Sequence, residues 1–252
     1  MKYEPTEFWG QRLTRDWSLR GVGHASYSEY YNRYLYRAKV RALGRTLRQH
    51  RIAIAGKGVL DVGAGIGFWL RWYQAAGAGQ ITAIELSKAA TNRLRAEFPS
   101  ARVRCGDVAE EWFWPDRFDL INAFDVLYHI VERSRFLNAL KQMTRHLEPG
   151  GYLIVTDVFP PYEVHPGEHV CFRALDDYRG VLDAAACSIL SIRPVYGLMN
   201  GVVFDRLAGP RKRWRKMLRG LENVAAPLLY ALDGVWIPMS LPNTKLLIAR
   251  RS

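Results

Sequence analysis

The run Val59-Leu60-Asp61-Val62-Gly63-Ala64-Gly65-Ile66-Gly67 constrains this chain more than any other stretch. An apolar segment of strand character enters three glycines spaced two apart, and an apolar segment follows. Glycine lets the backbone take positive φ and come close to a ligand. A turn of this kind sits at the carboxyl end of the first strand of an open α/β sheet, where ligands of such sheets bind. By itself it also fits a nicotinamide dinucleotide. The segments behind it separate the readings.

Ile81-Thr82-Ala83-Ile84-Glu85 is a short apolar run ending in an acid, 22 residues beyond Gly63. An acid at the end of a second parallel strand can accept both hydroxyl protons of a ribose. The segment 101–108 places Asp107 just past a third strand, within reach of an adenine amino group. Residues 118–129 read as a fourth strand ending near Asp125. Residues 147–157 read as a helix stop, a Gly-Gly turn and a fifth strand. Residues 176–186 read as a helix, 188–195 as a sixth strand and 245–250 as the last.

The ordered set resembles the class I S-adenosylmethionine (SAM)-dependent methyltransferases over about residues 55–195. The resemblance implies an α/β fold: a doubly wound, mostly parallel seven-stranded sheet. It implies SAM as cofactor, with S-adenosylhomocysteine as product. Asp61, Gly63, Gly65 and Gly67 would surround the methionine part, with Ala64 in the same turn. Glu85 and its neighbour Leu86 would hold the ribose, and Asp107 and Val108 would read the adenine. The stretch from Phe124 to His129 would border the sulfonium and the substrate. The rivals are a domain binding NAD and a non-catalytic subunit of the same fold.

The expected organisation is one domain: a helical lid over 1–54, a SAM-binding core over 55–195, a cap insertion over 196–243 and a last strand over 244–252. Residues 1–10 carry no apolar core of a signal peptide, and no run of 18 apolar residues is present. Three scattered cysteines, Cys105, Cys171 and Cys187, suggest reduced thiols in a cytoplasmic protein. The net charge of +12 is uneven. Residues 1–58 carry 12 basic and 4 acidic side chains, 59–158 carry 11 and 12, and 159–252 carry 13 and 8. Basic charge on the substrate side favours an anionic partner, with a solvated surface as the plain alternative.

Ser26 or Ser28 could cap a helix over about 30–50. Tyr27, Tyr31 and Tyr34 share one face, suited to lining the substrate mouth or to core packing. Arg33, Arg37, Arg41 and Arg45 form a separate stripe, most simply a solvated face. Phe8, Trp9 and Trp17 lie where a segment could close over SAM. About 50 residues separate the sixth and last strands, more than a plain connection needs. They include Arg211, Lys212, Arg213, Arg215 and Lys216, then an apolar stretch over 224–241 interrupted by Pro227, Asp233-Gly234 and Pro238. The insertion could cap a greasy substrate, form a homodimer contact, or lie on an anionic membrane surface. No DNA- or RNA-binding module is read; RNA methylation through the basic cluster is the closest alternative within the fold.

His129, four residues past Asp125, is the candidate base, with Asp125 beside the reacting end. His165 and His169 follow strand five and could join Asp157 as a second base or a metal site. His169 and Arg173 could touch an anionic substrate group. The loop has no recognised metal-ligand spacing, and no metal is expected. Phe124-Asp125-Val126-Leu127 stands where amino-directed nucleic-acid enzymes of the resembled family carry an Asn/Asp-Pro-Pro-Tyr/Phe motif. The expected acceptor is an oxygen of a small molecule or of a glycan or lipid intermediate.

Overall fold

The computed structural model describes residues 3–110, 116–200, 212–235 and 244–252. Strands β1 (Gly58–Val62), β2 (Gln80–Glu85), β3 (Arg102–Cys105), β4 (Phe118–Ala123), β5 (Leu147–Asp157), β8 (Cys187–Pro194) and β9 (Lys245–Arg251) form one sheet. Their order is β3-β2-β1-β4-β5-β9-β8. β1 to β5 pair in parallel, and β9 runs antiparallel between β5 and β8. The sheet expected from the motif ladder is therefore present. β5 begins at Leu147, so the Gly150-Gly151 pair lies inside the strand rather than before it.

Helices cover both faces, which is why the inner strands are apolar almost throughout. Helix α3 (Glu29–Gln49), with α4 (Phe68–Ala75) and α5 (Lys88–Glu97), covers one side; α6 (Arg133–Arg145) and α7 (Leu175–Ala184) cover the other. Strand β9 shows the division residue by residue. Leu246 and Ile248 enter the core under α3 and α4, while Leu247 and Ala249 enter the core under α6 and α7.

Ser28 caps α3 by accepting from the Tyr31 N–H, which settles the choice between Ser26 and Ser28. Ahead of it come α1 (Pro5–Arg15), opened by a proline in its first turn, and the short α2 (Leu19–Val22). A two-stranded hairpin, β6 (Val164–Gly167) with β7 (Val170–Phe172), occupies the segment read as a loop after strand five.

The described part of the insertion is a short turn at Leu198–Asn200 and a long helix, α8 (Lys212–Val235), that runs through Pro227. It packs on α3 through Tyr27, Tyr31, Leu35, Met199, Ala226 and Leu229. Arg41 and Arg45 donate to the carbonyls of Tyr230 and Gly234 near its carboxyl end, each at 2.7 Å. Cations there suit the helix dipole, so that half of the arginine stripe is a clamp and not a solvated face. Asp233 is buried and accepts from the N–H groups of Gly197, Leu198 and Met199. Arg211 and the side chains of Lys212, Arg213, Arg215 and Lys216 lie outside the described residues, as does the apolar stretch over 236–241. Among the described residues, no helix is long and apolar enough to cross a membrane.

Candidate active site

A cavity of about 950 Å³ opens above the carboxyl ends of β1, β2 and β4. Its floor is the glycine turn. Gly63 and Gly65 take φ values of +72° and +54°. A Cβ at Gly63 would stand 2.5 Å from Val126, and one at Gly65 would stand 2.7 Å from Val22 of α2. Here the glycines permit both the left-handed turn and close approach of its neighbours. Gly67 lies behind the cavity, where it starts α4 beneath Phe98 and Leu94.

Glu85 ends β2 and is buried. Its two carboxylate oxygens accept from the Gly65 and Ser87 N–H groups, both at 2.8 Å. Burial pushes this carboxyl above its usual range, and those backbone donors pull it back. Each oxygen keeps a lone pair for a ribose hydroxyl. Asp61 sits under the turn, where Asn122 donates to one oxygen at 2.6 Å and the other has no partner. Burial pushes Asp61 up to about 7. An orphaned buried oxygen below a glycine cradle fits the ammonium-bearing part of SAM. Asp107 accepts from the Ala109 N–H and pairs with Arg135. Ala64, Leu86, Val108 and Phe124 complete this end of the cavity.

Asp125 and His129 line the other end. Asp125 has φ +60°, a strained value for a residue with a side chain. Thr156 holds it there, accepting from the Asp125 N–H at 2.8 Å and donating to its carboxylate at 2.9 Å. Lys39 of α3 ion-pairs with the second oxygen. The His129 Nδ1 lies 2.8 Å from the His169 carbonyl. A carbonyl can only accept, so Nδ1 carries the proton and Nε2 the lone pair. Burial pushes His129 down to about 4, leaving the ring neutral. The roof comes from Tyr3, Pro5, Trp9 and Leu13 of the α1 region, with Val22 and Tyr36.

The cavity thus gathers Gly63, Ala64, Gly65, Glu85, Leu86, Asp107, Val108, Phe124, Asp125 and His129, with Asp61 and Gly67 packed behind it. Six expected residues stand elsewhere. Tyr27 and Tyr31 stack on one another, centroids 4.3 Å apart, in the core between α3 and α8. Tyr31 also donates to the Met199 carbonyl at 2.9 Å. Arg173 is fully buried, donating to the Val131 carbonyl and lying over the Phe136 ring, where no substrate group reaches it. His165 is exposed on β6 beside Glu163. His169 stacks on His129 and Phe8 and supports the wall without lining it. Asp157 is buried, accepting from Tyr178 and from the Val158 N–H, and burial pushes it up to about 7. The described insertion contributes no side chain to the cavity, so the α1 region roofs it.

Sequence reading missed Lys39, Tyr36, Trp69 and Arg135. Lys39 carried a signal: it is a charge on the apolar face of α3, among Leu35, Ala38, Ala42 and Leu43.

The model of a family described as a methyltransferase domain matches residues 27–192. The fold is similar to that of magnesium protoporphyrin IX methyltransferase (ChlM) from Synechocystis PCC 6803, solved with bound SAM. The TM-score is 0.62 at 14% identity, over 98% of this chain and 95% of that one. It is also similar to the N-methyltransferase NodS from Bradyrhizobium japonicum, with TM-score 0.54, 14% identity and coverage of 87% and 97%. A third similar structure is the [4+2]-cyclase SpnF, with TM-score 0.56, 20% identity and coverage of 83% and 79%.

Proposed function

The chain belongs to the methyltransferase-domain family, and from that premise we propose that it methylates an oxygen of a small molecule, or of a glycan or lipid intermediate, held in this cavity. One observation carries the reading: the nucleotide end and the Asp125–His129 end share a single space under the α1 roof. That space has the size of a small-molecule site.

SAM supplies an electrophilic methyl group on a sulfonium. The residues of the chain supply position. Glu85 accepts from the ribose hydroxyls, and Asp107 and Val108 receive the adenine. Trp9, which meets the His129 ring edge-on at 4.9 Å, and Tyr36 exclude water from the Asp125–His129 end. Neutral His129 offers its Nε2 lone pair to an acceptor hydroxyl. A base with its value near 4 aligns that hydroxyl through a hydrogen bond, and the proton displaced on methyl transfer passes on to solvent at neutral pH. Alignment of acceptor and methyl is where much of the rate gain of a displacement lies.

The test is transfer of a labelled SAM methyl group into a host extract, which is then split into organic, small aqueous and macromolecular fractions. Label in the organic or small-molecule fraction, lost in Glu85→Ala, supports the reading. Label in RNA or protein overturns it. Retained SAM binding with no label anywhere points to a non-catalytic use of the fold.

A further inference from the structure

We propose that Glu163, His165 and Cys171 form a zinc-type divalent-metal site on the β6–β7 hairpin, apart from the SAM cavity. The hairpin register brings them together. Val164 pairs with Phe172, and one residue further into the hairpin, where the register shifts, His165 Nε2 reaches Cys171 Sγ at 3.7 Å. Glu163, two residues before His165, shares its side of the chain. The three ligand atoms all lie within 4.8 Å of one another.

The geometry is that of a common centre and not of a proton relay. The same ring nitrogen, His165 Nε2, faces both partners: Glu163 Oε1 at 2.9 Å and Cys171 Sγ at 3.7 Å. A Cys-His-acid relay needs the thiol and the acid on different ring nitrogens. Zinc bonds of ~2.0–2.3 Å place tetrahedral ligand atoms roughly 3.3–3.6 Å apart. Small side-chain adjustments meet that spacing. Thiolate, imidazole and carboxylate together suit zinc better than magnesium or calcium.

The surroundings fit an ion. Cys171 is buried while Glu163 and His165 are exposed, so one side is closed and the other gives access and a fourth position. The second Glu163 oxygen faces Arg133 at 3.7 Å and Arg173 at 3.8 Å. These arginines orient the carboxylate from behind, as outer partners of metal ligands do. Binding needs no redox step. The thiol loses its proton to solvent, and the imidazole proton moves from Nε2 to Nδ1. The site joins the two strands on either side of His169, whose carbonyl fixes His129. A bound ion would therefore brace the wall of the cavity.

Cobalt(II) titration of the full chain tests this, because thiolate ligation gives a sulfur-to-cobalt charge-transfer band independent of methyl transfer. The expected result is one equivalent bound with that band, displaced by zinc. Cys171→Ser should remove the band. His165→Ala and Glu163→Gln should each weaken binding about tenfold or more, with S-adenosylhomocysteine affinity retained as the folding control. His165 and Glu163 are exposed, so these two variants decide the matter if Cys171→Ser does not fold. Failure to bind cobalt or zinc overturns the proposal. So does an unchanged cobalt affinity in His165→Ala and Glu163→Gln, or a band lost instead in Cys105→Ser.

Discussion

Lys39 of α3 and Asp125 at the end of β4 form a buried ion pair, with side chains 4% and 14% exposed. It ties the amino-terminal helix to the reacting end of the cavity and holds Asp125 at positive φ together with Thr156. The partners are 86 residues apart in sequence.

Lys39→Met should leave a buried carboxylate without its cation. The expected loss is about 3–5 kcal/mol of stability, read by urea unfolding. Lys39→Met combined with Asp125→Asn should recover more than half of it. Additive losses in the double-mutant cycle would show that the pair is not coupled.

Gly65→Ala should weaken S-adenosylhomocysteine binding, because its Cβ meets Val22 at 2.7 Å and its φ is +54°. Adding Val22→Ala relieves the contact and leaves about 1–2 kcal/mol of backbone cost. Calorimetric titration of the single and double variants separates the two parts. Equal affinities for wild type and Gly65→Ala would remove the turn from the binding site.

His129 carries a pH signature of defined sign. Burial holds its folded value near 4, against 6.5 unfolded. Between these values the unfolded chain binds the extra proton, so stability from this group is full above 6.5 and falls toward pH 4. The total is about 3 kcal/mol. Other groups oppose it: Asp61 and Asp157 are pushed up to about 7, which favours the folded state at low pH. The measurement is therefore the stability difference between wild type and His129→Gln. Wild type should lose ground to the variant from pH 6.5 downward. A flat difference would mean the ring is solvated.

Tyr178→Phe should cost about 1 kcal/mol at pH 5, where the Asp157 carboxyl is protonated. The cost should grow as pH rises through 7, because the hydroxyl that donates at 2.5 Å then leaves a buried carboxylate short of a donor. Thermal unfolding at several pH values reads it. A cost independent of pH would place the ionisation elsewhere.

The cofactor half of the site was legible because each of its parts lies in one short segment. A glycine turn follows an apolar strand, and Glu85 and Asp107 each close one. The substrate half was less legible because it is assembled across elements. Tyr27 and Tyr31 share a face, but their neighbours come from Met199, Ala226 and Leu229, beyond the reach of helical periodicity. Arg173 looked available on a loop, yet the hairpin folds it beneath Val131. The aromatic residues Phe8, Trp9 and Trp17 pointed to a segment closing over the cavity, and Trp9 of α1 lines its roof, although the helix that carries it was not read. Spacing along the chain could not show that Glu163, His165 and Cys171 meet across two strands.

The position of β9 bears on how the protein is made. β8 touches the sheet through β9 alone, yet 50 residues separate the two strands. On a translating ribosome, β8 emerges with no strand to pair with while the edge of β5 stays open, for roughly 3–10 s at ordinary elongation rates. Exposed strand edges recruit other chains. The long connection therefore sets a window of aggregation risk, and slowed synthesis of residues 195–244 should lower soluble yield.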